Sequence, residues 1–400
     1  MKFRQALAAA VPLLLAGACS DPASKSGATA TQTTTVMATA TAPEAPDLTP
    51  GPPPDVNVVA AAAPGTNVPG IDVHPEPLDA PPIAGSASPL AQPIDMADWR
   101  APPVTAQARK NALIRAEVLL ARAHFSPGVI DGLDGANLQN AISAFEADRS
   151  LPVDGKMSEP VWAMLAKDAQ PALTDYVVTP ADVKGPFLAK VPTDLAEMAK
   201  LPALSFTGPV EELAERFHMD EGLLKSLNPD ADFAKPGTKI VVAALGPDRL
   251  KAPVTRIEVD KTKRQLRAFG AGNLLLAVYP ATVGSIERPA PDGTFAVRTV
   301  APNPTYTYDP SRLTFGKASN GKLTIPPGPN NPVGSTWIDL TIPTYGIHGT
   351  PDPRQVGKTA SHGCVRLTNW DVRQLSQAVK KGTVVDFVGV EQGNPAKATG

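Results

Sequence analysis

The residues best suited to chemistry crowd into one stretch, Tyr345-Gly-Ile-His-Gly-Thr-Pro followed by Ser361-His-Gly-Cys-Val-Arg-Leu. Cys364 is a candidate nucleophile, with His348 sixteen residues before it and His362 two before it. A thiol attacks carbonyl carbon usefully when a base or a positive field favours the thiolate. Histidine is the side chain that takes such a proton near neutral pH. His362 shares a loop with Cys364, so His348 is the better candidate for a base reaching in from another element. Gly363 lets backbone approach a substrate, and amides around it can face a developing oxyanion. Arg366 either holds this loop or meets a substrate carboxylate. His348, His362 and Cys364 are also potential zinc ligands. A structural zinc takes four ligands at recognisable spacing, and no second cysteine or obvious carboxylate completes the set. No metal or organic cofactor is implied.

The segment that must position these groups reads as β-structure. From Val254 short runs follow one another: Arg256-Ile-Glu-Val-Asp, Gln265-Leu-Arg-Ala-Phe, Leu274-Leu-Leu-Ala-Val-Tyr, Phe295-Ala-Val-Arg-Thr-Val and Trp337-Ile-Asp-Leu. Strands this short, separated by Gly/Pro turns, argue a β-sandwich or barrel. An amphipathic helix begins at Asn369, and Val384-Val-Asp-Phe-Val closes the segment.

Upstream, the chain changes character three times. Lys2 and Arg4 precede an apolar run from Ala6 to Ala18, too short to span a bilayer but fitting a signal peptide. Leu15-Ala-Gly-Ala before Cys19 resembles the lipobox of bacterial lipoproteins, which implies a signal over 1–18 and a lipidated Cys19. Ser20 after that cysteine favours the outer membrane, with the body in the periplasm. Cys19 and Cys364 are the only cysteines. Lipidation would leave Cys364 unpaired in an oxidising compartment, where an idle thiol is a liability. Residues 19–104, rich in Ala, Pro and Thr, read as a disordered tether. Over 105–170, helical periodicity is interrupted by paired Asp-Gly loops, Asp131-Gly132 and Asp154-Gly155, and ends on Trp162 and Leu165. Over 174–245, a helix from Glu211, an Asn228-Pro229 turn and Lys235-Pro-Gly before a strand form a second small unit. Residues 391–400 read as a tail. The charge balance, 37 basic against 39 acidic, gives no reason to expect nucleic acid.

These motifs resemble known families. Three helices with repeated Asp-Gly loops are similar to a peptidoglycan-binding module, and 174–245 is similar to a degenerate LysM module. His348-Gly349-Thr350 with Ser361-His-Gly-Cys-Val-Arg-Leu and Asn369/Asp371 resembles the L,D-transpeptidase (YkuD-type) catalytic domain, here over 253–390. Pro289-Ala-Pro-Asp-Gly-Thr-Phe and Asn331-Pro-Val-Gly fit the same family. The resemblance implies a multidomain protein with a β-sandwich-like catalytic domain that crosslinks peptidoglycan stems. Cys364 would form a thioester with diaminopimelate, expelling D-alanine, and an acceptor amine would release it. It implies His348 as base, oriented by the Gly349 carbonyl, and an oxyanion hole from the amides around His362, Gly363 and Cys364. Arg366, Tyr345, Trp337 and Ser361 are expected near substrate. Carbapenem β-lactams are expected to acylate Cys364. Water as acceptor would make the chain a carboxypeptidase or endopeptidase, and a lipoprotein lysine would make it a protein-anchoring enzyme. A non-catalytic peptidoglycan-binding lipoprotein is the reading from another class.

Overall fold

The computed structural model describes residues 84–99, 105–284, 289–310, 321–359, 361 and 363–391. The calls on the signal peptide, on Cys19, on His362 and on residues 392–400 of the tail lie outside these residues, as does most of the tether. The tether is corrected at its C-terminal end, where residues 84–99 are ordered. A short helix α1 (Gln92–Asp95) buries Ile94, and the Asp95 carboxylate accepts the amides of Ala172 and Leu173 at 2.7 and 3.1 Å. Long-range anchoring orders this segment, and local periodicity does not reveal it.

Next come α2 (Ala106–Arg122), α3 (Ala136–Asp148) and α4 (Glu159–Leu165). Thr105 and Ser158 cap α2 and α4 through their hydroxyls. Leu120, Leu138, Ile142, Phe145, Trp162 and Leu165 meet in one core. The repeated Asp-Gly loops have a shared cause. Glu117 of α2 accepts the amides of Asp131 and Gly132, at 3.1 and 2.8 Å. Glu146 of α3 accepts those of Asp154 and Gly155, at 3.0 and 2.9 Å. Each loop therefore wraps a buried glutamate from the preceding helix. Gly155 has φ +70, and a Cβ there would lie 2.9 Å from the Gln139 carbonyl.

β1 (Leu173–Val177) then pairs antiparallel with β2 (Lys239–Ala243), with α5 (Leu195–Met198), α6 (Pro209–Arg216) and α7 (Glu221–Leu227) between them. Asn228 closes this unit: its amide nitrogen donates to the Leu224 and Val241 carbonyls, and its oxygen accepts Val241 N–H at 2.6 Å.

The C-terminal part contains β3 (Arg256–Asp260), β4 (Gln265–Phe269), β5 (Leu275–Pro280), β6 (Gly293–Pro302), a hairpin of β7 (Tyr306–Tyr308) and β8 (Leu323–Ile325), β9 (Thr336–Leu340), β10 (Gly346–His348), β11 (Val365–Arg366), α8 (Asn369–Ala378) and β12 (Val384–Val388). Eight strands form one mixed sheet, ordered β11-β10-β9-β6-β12-β3-β4-β5. The expected sandwich or barrel takes the form of a curled sheet. Just past β5, Thr282 exchanges two 2.9 Å backbone bonds with Arg366 of the opposite edge strand. Closure removes the open edges that would template aggregation. Val372 and Leu375 of α8 pack into the enclosed core beside Ile257, Leu266, Ile347 and Val365. All described residues belong to one compact unit. The helical part docks on β5, where Val278 donates to the His124 carbonyl and accepts Ser126 N–H. His218, which follows α6, stacks on Trp370 of α8 with ring centroids 4.8 Å apart.

Candidate active site

Register alone assembles most of the site. His348 lies opposite Trp337 across the antiparallel β9–β10 pair and opposite Arg366 across the parallel β10–β11 pair. Paired residues share a sheet face, so Trp337, His348 and Arg366 form a row. Their neighbours Ile338, Ile347 and Val365 point the other way, into the core. Cys364 precedes Val365 and so lies on the same side of β11 as Arg366. The strand ends deliver nucleophile, imidazole and guanidinium to one surface.

Packing fixes the imidazole. His348 is buried and stacks on the Trp337 indole, with centroids 5.4 Å apart and planes 18° from parallel. Its Nδ1 lies 2.6 Å from the Gly349 carbonyl. A carbonyl only accepts, so this contact assigns the proton to Nδ1 and leaves Nε2 as the basic nitrogen. Burial lowers the His348 pKa to about 3, Arg366 adds to the drop, and the carbonyls of Gly349 and Val333 oppose it. Burial also raises the Cys364 thiol, against the Gly346 backbone and Arg366, which favour thiolate. The resting pair is therefore neutral thiol and neutral imidazole. The thiol donates to the Thr344 carbonyl, 3.6 Å from Sγ. Thr344 holds φ +71, an unusual conformation for a β-branched residue and one found at functional turns.

The remaining expected residues fall into three positions. Ser361 braces the nucleophile loop: its hydroxyl donates to the Cys364 carbonyl at 2.7 Å and accepts Gly363 N–H at 3.2 Å. The Gly363 amide is thereby engaged within the loop. Gly363 has φ +123, and a Cβ there would meet the Tyr345 ring at 3.1 Å. Tyr345 reaches out to the Pro289 carbonyl at 3.4 Å. Trp337, only 3% exposed, underlies His348 and does not open toward substrate. Arg366 faces Cys364 and Tyr306, burial lowers its pKa, and among the described residues no carboxylate pairs with it. Cys364 also packs against the apolar cluster of Tyr306, Tyr308, Val333 and Trp337.

Sequence reasoning missed Gly346, Thr344 and the structural weight of Asn369. Gly346 leaves room for the Trp337 indole, which a Cβ would approach to 2.4 Å. A glycine inside a strand is a legible sign of such an approach; the Thr344 carbonyl carried no sequence signal. Among the described residues no group of three or more His, Cys, Asp or Glu could hold a metal ion.

Residues 254–387 match the family model of the L,D-transpeptidase catalytic domain, YkuD, and residues 109–165 match that of a peptidoglycan binding domain. A Bacillus licheniformis chain named as L,D-transpeptidase YkuD is 30% identical over 181 residues, which cover 44% of this chain and 92% of that one. The chain belongs to the L,D-transpeptidase family. It is thus a cysteine-dependent acyltransferase of peptidoglycan with a peptidoglycan-binding domain. "Probable L,D-transpeptidase YbiS" of Escherichia coli K12 is 30% identical over 201 residues, 48% of this L,D-transpeptidase and 63% of YbiS. Among solved structures, the ertapenem-acylated catalytic domain of Enterococcus faecium L,D-transpeptidase matches at 22% identity and TM-score 0.27, covering 34% of this chain and 98% of that one.

Proposed function

We propose that Cys364 is the nucleophile and His348 the general base of a transpeptidase that joins diaminopimelate to diaminopimelate between stems. The observation that carries the reading is the row of Trp337, His348 and Arg366 with Cys364 beside it, His348 presenting Nε2 because Nδ1 is tied to Gly349. Sγ leaves the Thr344 carbonyl and bonds to the diaminopimelate carbonyl carbon of a tetrapeptide, while its proton passes to His348. The carbon–nitrogen bond to D-alanine breaks, and His348 protonates the departing amine. The acceptor amine then attacks the thioester, its proton goes to His348, and the thiolate recovers it. The Cys364 amide, which no described residue engages, is the donor left for the oxyanion.

Arg366 gives substrate a way to switch the base on. Burial is the main cause that holds His348 down, and the Arg366 charge adds to it while assisting the thiolate. A stem carboxylate paired with the guanidinium would screen that charge from the imidazole and raise its basicity when the donor is bound. The leader and Cys19 support export and lipid anchoring in the periplasm, on the outer membrane. The 174–245 unit, a β-strand pair enclosing helices, supports a LysM-like module that would hold glycan beside the peptidoglycan-binding domain. Carbapenems acylate Cys364 on this reading.

The test is incubation with tetrapeptide muropeptides and mass spectrometry, beside Cys364→Ala. A Cys364-dependent dimer lacking one D-alanine is expected. Tripeptide alone would assign water as acceptor. No product with stem substrates would sink the crosslinking reading and direct the assay to lipoprotein lysines or to a binding role.

A further inference from the structure

The helix bearing Glu215 belongs to the accessory unit, yet its carboxylate ends at the catalytic centre's support. Asn369, at the start of α8, donates from Nδ2 to both Glu215 oxygens, at 3.1 and 3.2 Å, and to the Pro329 carbonyl at 3.2 Å. Its Oδ1 accepts Ser335 N–H at 3.0 Å, one residue before β9. The same Oδ1 fills the space beside Gly349, only 2.0 Å from where a Cβ would stand. Gly349 in turn donates to the Thr336 carbonyl at 3.2 Å and offers its own carbonyl to His348 Nδ1. A continuous line of contacts therefore runs from Glu215 through Asn369 and Gly349 to the imidazole. Glu211, one turn earlier on α6, adds a second tie by accepting Asn330 Nδ2 at 2.8 Å.

We infer that Glu215 is a positioning residue for the transfer reaction, by which the docked accessory unit holds Asn369 against Gly349 and so keeps His348 oriented toward Cys364. This rests on the assignment of His348 and Cys364 above. An amide side chain has two ends, and Asn369 uses both: the oxygen must face Ser335 and Gly349, so the nitrogen must face away, where Glu215 receives it. Without that acceptor the Asn369 amide keeps the Pro329 bond alone on its nitrogen side and is free to tilt off Gly349. Burial pushes the Glu215 carboxyl up to about 8, with Asn369 and Arg373 lowering it and Glu211 and Glu212 raising it. Glutamine is accordingly a close mimic of the form present at neutral pH.

The experiment uses the whole mature chain carrying Glu215→Ala, Glu215→Asp or Glu215→Gln. Two rates are read for each: acylation by a carbapenem, and alkylation of Cys364 by iodoacetamide across pH 5–10, with a thermal melt beside them. Misplacing a catalytic group by about 1 Å costs on the order of 100-fold in rate; a residue acting one step removed should cost ~10-fold in acylation for Glu215→Ala. The alkylation profile should keep its place on the pH axis, because burial, the Gly346 backbone and Arg366 set the thiol, so the loss is confined to acylation, the step that needs His348. E215D, too short to reach Asn369, should fall several-fold while still folded, and E215Q should restore the wild-type rate at pH 7. A folded E215A or E215D with wild-type acylation overturns the inference, as does an acylation loss matched by an equal loss of alkylation, or E215Q as slow as E215A. A wild-type protein that no carbapenem acylates at Cys364 would instead overturn the underlying assignment.

Discussion

Gly349→Ala isolates the support of the base from the base itself. Gly349 is outside the left-handed region, so alanine meets no backbone strain there. The obstacle is contact: the new Cβ would stand 2.0 Å from Asn369 Oδ1 and 3.1 Å from its Cγ. A comfortable carbon–oxygen approach is about 3.3 Å, so one side must yield by roughly 1.3 Å. If Asn369 yields, it loses the Ser335 bond and strains its ties to Glu215 and Pro329. At ~1 kcal/mol per bond plus ~1–3 for overpacking, that is about 2–4 kcal/mol of stability. If Gly349 yields, it carries its carbonyl away from His348 Nδ1, and the cost appears as a rate loss of ~100-fold. Asn369 is held from both ends of its amide, whereas Gly349 is held by one backbone bond to Thr336, so Gly349 is expected to move. Carbapenem acylation should therefore fall ~100-fold while the melt drops only a few degrees.

The double variant with Asn369→Ala removes the obstructing oxygen. Gly349→Ala should cost less in that background, with a coupling of ~1–3 kcal/mol between the two sites. Wild-type acylation and melting in Gly349→Ala, or strict additivity in the cycle, would refute the steric argument.

Other consequences are checked with the same tools. Arg366→Met removes the charge that favours the Cys364 thiolate, so iodoacetamide alkylation should shift to higher pH; an unmoved profile would separate Arg366 from the thiol. Stability should fall as pH rises from 6.5 to about 8. Burial raises Glu215 and Asp371 to about 8 and about 7. A carboxyl raised on folding stabilises the native state at low pH, and that contribution is lost as pH rises through its folded value. His348, lowered to about 3, acts only below its unfolded value near 6.5 and adds nothing to this window. The melting temperature should decline across it and Glu215→Gln should flatten the decline near pH 8; a rising melt would contradict the sign. Glu146→Ala removes the one oxygen that accepts both loop amides. The helical part should lose ~1–2 kcal/mol by chemical denaturation, and no loss would show that the loop closes without the carboxylate.

The candidate nucleophile and base were legible because their chemistry resides in residue type, and the Gly-Cys and His-Gly pairs carry the turns with them. The long strands were legible too: β3, β4 and β6 fall on the runs at Arg256, Gln265 and Phe295. The short elements were not. β10 has three residues and β11 two, too few for any alternation to register, and pairing with neighbours defines both. Trp337 shows the consequence: the resemblance placed it near substrate, and only the cross-strand register sets it opposite His348. Ser361, expected near substrate from the resemblance, has its hydroxyl engaged within the loop.

Glu215 marks where sequence reading stops for a physical reason. On α6 it follows Glu211 and Glu212, and such a run reads as a solvated helix face. Its partner Asn369 lies 154 residues away in an apparently ordinary helix start. Neither residue carries a periodicity, a cap or a spacing that names the other. Burial changes the meaning of both. A carboxyl taken out of water must be neutralised or bonded, and Asn369 supplies two of the bonds while its other end stands against the backbone that orients His348. Docking of the accessory unit and orientation of the base therefore share one side chain. A change that weakens the first should be felt in the second before the unit separates.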